Sequence, residues 1–126
     1  MSAKNKVLVI EDNREHFLAL AIKLQAHGYD VVSANDGASA MTVTRKEKPN
    51  VILLDLGLPA GDGFVVLDRL KKLDFSFAIP VLVVSARDPI ANRARALEAG
   101  AAAYLQKPVK TDALLQALHL AMFAAV

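Results

Sequence analysis

Short, uninterrupted apolar runs alternate along the chain with longer segments whose apolar positions recur at helical spacing. Val7-Leu8-Val9-Ile10 reads as a first strand. Asn13 follows as a helix cap, and Phe17, Leu20, Ala21 and Leu24 then fall at i, i+3, i+4 and i+7, one face of a helix that stops at His27-Gly28. Tyr29 to Ser33 predicts a second strand, and Asp36-Gly37 opens a second helix that ends before Pro49. Val51-Ile52-Leu53-Leu54 is a third strand, apolar at every position. Pro59-Ala60-Gly61-Asp62-Gly63 reads as a loop, with Asp62 capping a helix that carries Phe64, Leu67 and Leu70. Pro80 precedes a fourth strand, Val81 to Val84. Asp88-Pro89 joins a cap to a proline at the first helical position, and that helix runs to Gly100. Ala102 to Leu105 is a short fifth strand, and Thr111 caps a last helix reaching nearly to Val126.

Strands without polar alternation are buried on both faces, the mark of a parallel sheet covered by helices. The expected architecture is α/β: a doubly wound, five-stranded parallel sheet of order 2-1-3-4-5, flanked by five helices and flavodoxin-like. Five strand–helix units in 126 residues leave no room for a second domain, so residues 1–126 are expected to form a single one. With 54% hydrophobic residues the chain can build a core, and the absence of cysteine excludes disulfides, thiolate metal sites and cysteine nucleophiles. No apolar stretch approaches the roughly 18 residues a membrane span needs, and the start leads straight into strand 1, so a soluble, cytoplasmic domain without membrane contact is expected. The formal charge of +2 is too small to argue for direct nucleic-acid binding. Arg45-Lys46-Lys48 and Lys71-Lys72 sit near helix ends, where they complement the helix dipole.

In such a sheet, ligands bind outside the carboxyl ends of the strands, near the switch point between strands 1 and 3. Glu11 and Asp12 stand at the end of strand 1 and Asp55 at the end of strand 3; Ser85 closes strand 4, and Lys107 follows strand 5. Taken singly, Asp55 could mark a strand exit and Glu11-Asp12 could cap a helix. Together they place three carboxylates side by side, a cluster that repels itself unless a cation or a proton enters. Oxygen ligands without His or Cys suit Mg²⁺, which would neutralise the charge left after Lys107. A carboxylate beside such an ion can attack phosphorus and form an acyl phosphate. Ser85 and Lys107 are the groups needed to hold the remaining phosphoryl oxygens.

Four segments carry a family resemblance: Val7-Leu8-Val9-Ile10-Glu11-Asp12-Asn13, Leu53-Leu54-Asp55-Leu56-Gly57-Leu58-Pro59-Ala60-Gly61-Asp62-Gly63, Val83-Val84-Ser85-Ala86, and Gly100 through Tyr104-Leu105-Gln106-Lys107-Pro108. In order and spacing, the chain resembles the receiver domain of two-component response regulators over essentially its whole length. The resemblance implies that Asp55 accepts a phosphoryl group from a phosphohistidine on a histidine kinase or histidine phosphotransfer protein. It implies that Asp12 and Asp55 ligate Mg²⁺ with the backbone carbonyl of Gly57, and that Glu11 acts largely through a water. Lys107 would contact the phosphoryl group and pair with Asp55 beforehand, aimed by a cis peptide to Pro108. Ser85 and Tyr104 would be the switch pair acting on the helix 4–strand 5–helix 5 face. Gly57 and Arg87 would influence how water reaches the acyl phosphate.

Departures from the family pattern carry information too. Gly100-Ala101-Ala102-Ala103-Tyr104 lacks the acids that serve a charged dimer contact in winged-helix regulators. The last helix is apolar almost all round: with Leu114, Leu118 and Met122 facing the sheet, Leu115, Leu120 and Phe123 cannot all be buried within one domain. They are expected to form a homodimer or partner surface, unless a further segment covers them. Of the histidines, His27 reads as a dipole complement, and His16, one turn past Asp12, could border the site but reads better as a solvated helix residue. Three other functions fare worse. A phosphohydrolase of the haloacid-dehalogenase type needs a second acid where Gly57 stands, and a flavodoxin-like cofactor binder would find phosphate repelled by Glu11-Asp12. A degenerate docking module would not keep the acids, Ser85 and Lys107.

Overall fold

The computed structural model describes residues 4–58, 63–73 and 78–123. In chain order the elements are β1 (Lys6–Ile10), α1 (Arg14–Ala26), β2 (Asp30–Ala34), α2 (Gly37–Glu47), β3 (Val51–Leu54), α3 (Gly63–Lys72), β4 (Val81–Ser85), α4 (Pro89–Glu98), β5 (Ala103–Gln106) and α5 (Thr111–Phe123). The sheet has the expected order, β2-β1-β3-β4-β5, and every pairing is parallel. Alternation along the strands divides the core in two. Leu8, Ile10, Ile52, Leu54, Val81 and Val83 face Ala40, Phe64, Leu67, Leu70 and Ala96 of α2, α3 and α4. Val7, Val9, Val51, Leu53, Leu82 and Val84 face Leu20, Leu24, Leu114 and Leu118 of α1 and α5. Both faces of the strands are covered, which is why they carry no polar alternation.

Helix ends follow the sequence signals. The side chains of Asn13, Asp36 and Asp88 accept from the first-turn N–H groups of α1, α2 and α4. α1 and α4 close on left-handed glycines, Gly28 at φ 88° and Gly100 at φ 107°. Beyond Gly28, Tyr29 N–H donates to Leu24 O at 3.1 Å, so Tyr29 belongs to the turn and β2 begins one residue later than expected. β5 is likewise displaced by one residue, because its register runs on to pair Gln106 with Ser85. The ladder of α5 starts with Leu114 N–H on Lys110 O at 3.0 Å, which makes Thr111 the first helical residue rather than the cap. The expected cap Asp62, its loop from residue 59, and the helical end beyond Phe123 lie outside the described residues.

The sheet's hydrogen-bond ladder continues one residue past three strands, and this positions the site. Glu11 N–H donates to Ala34 O at 2.9 Å, Asp55 N–H to Ile10 O at 3.1 Å, and Lys107 N–H to Ser85 O at 2.8 Å. Three charged residues are thereby fixed on one edge by main chain alone. The β3 exit is also pressed against α3: Gly63 N–H donates to Leu56 O at 3.1 Å, and a Cβ at Gly63 would stand 2.4 Å from Leu56 Cα and 2.8 Å from Asp55 O. Backbone on both sides cannot yield without moving Asp55. Gly63→Ala should therefore cost at least about 2–3 kcal/mol in denaturant unfolding, the scale of an overpacked core site; stability equal to the parent's would show that α3 can back away freely.

Candidate functional site

Glu11, Asp12 and Asp55 offer one carboxylate oxygen each within 4.8 Å of one another. Glu11 is the deepest at 4% exposure, whereas Asp12 is open to solvent. Burial raises the Glu11 pKa above its ordinary value, opposed by hydrogen bonds from Lys107 and from the Asn13 N–H, while the Asp55 charge adds to the rise. The opposing bonds are direct: Lys107 Nζ donates to Glu11 Oε1, and Asn13 N–H donates to Glu11 Oε2 at 3.2 Å. Lys107 Nζ also lies 3.3 Å from Asp55 Oδ2, and the Lys107–Pro108 peptide is cis, as the resemblance implies. Gly57 N–H donates to Asp55 Oδ1 at 3.0 Å, so each oxygen of Asp55 has its own partner. These groups line an open cleft of about 250 Å³ that also takes in Ser85 and Arg87.

Ser85 is buried, and its Oγ accepts from Arg87 N–H at 3.1 Å. Tyr104 packs in the core on the α3–α4 side, and its hydroxyl donates to Arg87 O at 2.8 Å. Core packing and polar contact are both present in this one ring. The two expected switch residues thus hold the two main-chain polar groups of one residue, Arg87, at the start of the segment that leads from β4 into α4. Lys107 pairs with Asp55 and also with Glu11, a second and more deeply buried partner for which the sequence offered no signal.

His16 is both solvated and at the border of the site, the two readings its position left open. Its Nδ1 lies 3.1 Å from Lys107 Nζ, although the ring is half exposed. Position one turn past Asp12 was the only signal in the sequence for this contact. On α5, Leu114 and Leu118 are fully buried, and Leu115 is half-buried against the α1 side of the core. Leu120 and Phe123 remain 55% and 49% exposed, which leaves a narrower apolar face than the three residues expected.

The arrangement is an anionic pocket in which Lys107 bonds two of the three acids. Its donors are all oxygens from carboxylates, with a backbone turn at Gly57 beside them, a set suited to a hard divalent ion such as Mg²⁺. Among the described residues no helix is long and apolar enough to cross a membrane.

Comparison with known proteins places these residues in a wider pattern. The family described as response regulator receiver domain matches residues 7–119. The transcriptional regulatory protein KdpE of Mycobacterium tuberculosis is 40% identical over 92% of this chain, and the chain spans 50% of KdpE's length. The protein PilH of Pseudomonas aeruginosa is 32% identical over 90% of this chain and 94% of its own. The BeF₃-activated receiver domain of Klebsiella pneumoniae RstA superposes with a TM-score of 0.86 at 32% identity, covering 94% of this chain and 99% of that one.

The site predicts a linked cation and proton effect. Because the Glu11 pKa lies above its unfolded value of 4.5, the folded chain takes up this proton first as pH falls. The associated stability of the metal-free fold is present at low pH and fades as pH rises through the folded value. A divalent cation competes with that proton. Mg²⁺ at a hundredfold excess over Kd should stabilise the fold by about 2.7 kcal/mol at neutral pH, and the gain in thermal midpoint should shrink as pH falls towards the Glu11 pKa. A gain that does not change with pH would separate Glu11 from the cation site.

Proposed function

This chain belongs to the response regulator receiver family, and from that premise we propose that it is a single phospho-acceptor domain in which Asp55 takes the phosphoryl group. The supporting observation is the position of Asp55: a largely buried carboxylate, 13% exposed, at a strand end and lining the open cleft, with Lys107 on one oxygen and the Gly57 N–H on the other. The donor is a phosphohistidine on a histidine kinase or phosphotransfer protein in the cytoplasm. A carboxylate oxygen of Asp55 attacks phosphorus, the P–N bond to the donor imidazole breaks, and the imidazole departs and is protonated. Asp12, Asp55 and the Gly57 carbonyl would hold Mg²⁺, with Glu11 acting largely through a water, and the ion would supply charge neutralisation for the carboxylates and the incoming phosphoryl group. Lys107 leaves Asp55 for a phosphoryl oxygen, and Ser85 Oγ supplies a hydrogen bond to another. The chain is a switch that catalyses only its own phosphorylation and dephosphorylation.

The seat for the donor protein lies alongside. A groove of about 390 Å³, floored by Leu20, Val84 and Val109, shares His16 and Lys107 with the acidic cleft, and α1 exposes Leu18 and Ile22 beside it. The output face follows from Ser85. Its hydroxyl accepts from Arg87 N–H in the resting arrangement, so turning away to a phosphoryl oxygen releases the N–H of the residue whose C=O Tyr104 holds. The consequence is felt in α4, β5 and α5, where Leu120 and Phe123 offer an apolar contact for a second copy or another protein.

With acetyl phosphate and Mg²⁺ the protein should gain the mass of one phosphoryl group, and Asp55→Asn should abolish the gain; a modification that survives Asp55→Asn overturns the acceptor assignment. Beryllofluoride-loaded protein should rise in mass by light scattering, and the double substitution Leu120→Glu, Phe123→Glu should cancel the rise. An unchanged mass on loading would leave a different protein as the occupant of α5.

A further inference from the structure

We propose that His16 is a positioning residue for Lys107, an inference that rests on the phospho-acceptor reading above. An ammonium group has three N–H donors and no acceptor. Lys107 Nζ meets three acceptors: Glu11 Oε1, Asp55 Oδ2 at 3.3 Å, and His16 Nδ1 at 3.1 Å. The set is complete, and the imidazole is its only uncharged member. Because Lys107 can only donate, Nδ1 must be the accepting nitrogen and the ring proton sits on Nε2. A protonated Nδ1 at that distance would set two cationic donors against each other. The neighbouring Glu11 Oε1, 3.8 Å from Nδ1, is beyond a hydrogen bond and is already engaged by the lysine.

Geometry gives the third contact its purpose. Two of the lysine's partners are carboxylates of the acidic cluster, and one of them, Asp55, is the group to be esterified. When the phosphoryl group arrives, Lys107 has to exchange Asp55 Oδ2 for a phosphoryl oxygen. Glu11 alone would pull the ammonium towards the buried end of the cleft. His16 approaches from α1, a different element, and lines both the acidic cleft and the neighbouring groove. It therefore anchors the ammonium at the mouth of the cleft, where the donor enters. A neutral acceptor suits this role, since it holds the lysine without adding a fourth negative charge that would repel the phosphoryl group.

The test uses acetyl phosphate with Mg²⁺ and follows the phosphorylation rate of the full chain. His16 is 54% exposed, so its substitution should leave the unfolding midpoint nearly unchanged. His16→Leu keeps the bulk and removes the acceptor, and should slow phosphorylation about two- to tenfold, the range for one hydrogen bond to a charged group's site. His16→Asn places Oδ1 the same number of bonds from the backbone as Nδ1, and should recover the parent rate. In a Lys107→Ala background His16→Leu should have no further effect, which a role in packing or helix propensity would not produce. The inference is overturned if His16→Leu matches the parent, if His16→Asn is as slow as His16→Leu, or if the two losses simply multiply. Failure of the parent protein itself to be phosphorylated would instead count against Asp55 as acceptor.

Discussion

Like charges confined at one sheet edge govern this molecule. The main-chain ladder of a parallel sheet, extended one residue past β1 and β3, sets Glu11 and Asp55 side by side regardless of what their side chains prefer. At separations near 5 Å, and with the effective dielectric of a protein surface, each carboxylate pair repels on the order of 3 kcal/mol. Lys107 offsets part of that, and its own backbone is held by the same device on the far side of the sheet, through Ser85 O. The edge is thus built from strong backbone bonds and left electrostatically incomplete. Such a site has a standing affinity for cations, and an acyl phosphate formed on one of its carboxylates would carry more negative charge than the carboxylate it replaces, which raises the demand on Lys107 and on a bound cation.

A physical connection from this edge to the helices is in place among the described residues. Arg87 has its N–H on Ser85 Oγ and its C=O on the Tyr104 hydroxyl. Asp88 and Pro89 follow immediately as the cap and first residue of α4. If either hydroxyl moves, a main-chain polar group of Arg87 exchanges its partner, at an exposed residue where solvent can take over the bond. α4 is tied in turn to α3, where the Arg95 guanidinium lies 3.8 Å over the Phe64 ring. α3 rests through Gly63 on the exit of β3. The loops bearing Asp55 and Ser85 are therefore joined twice, once through the sheet and once through helices.

Most of the fold was legible because one-dimensional signals dominate it. Val51 to Leu54 cannot be half-exposed, glycines at 28 and 100 stop helices, and Asp88-Pro89 starts one. The acids at strand ends followed from topology alone, before any family was considered. What escaped were features fixed by approach in space. His16 and Lys107 are 91 residues apart, and nothing in the pattern of α1 says which polar residue will meet the lysine. Lys107 was expected on Asp55 and meets it, but its second bond, to Glu11, was not legible, because the depth of Glu11 is a property of the packed sheet and not of a Glu-Asp pair in sequence. The one-residue offsets of β2 and β5 arise where a helix-ending turn and a strand register compete for the same backbone. Leu115 was counted as surplus on α5, yet it found a half-buried seat on the α1 side of the core.

The division of helices between the two sheet faces gives the site an asymmetric surround. α1 and α5 share one face with Val7, Val9 and Leu53, while α3 and α4 share the other with Ile10, Leu54 and Tyr104. Asp55 stands between them at the strand end. Lys107 connects to the α1–α5 layer through His16 and through the short segment running into α5. Ser85 connects to the α3–α4 layer through Arg87 and Tyr104. A group added to Asp55 and gripped by both Lys107 and Ser85 would therefore pull on both layers at once, each through a single polar side chain. The sheet between them is held by backbone pairing and a close-packed core, so it can stay fixed while the layers respond.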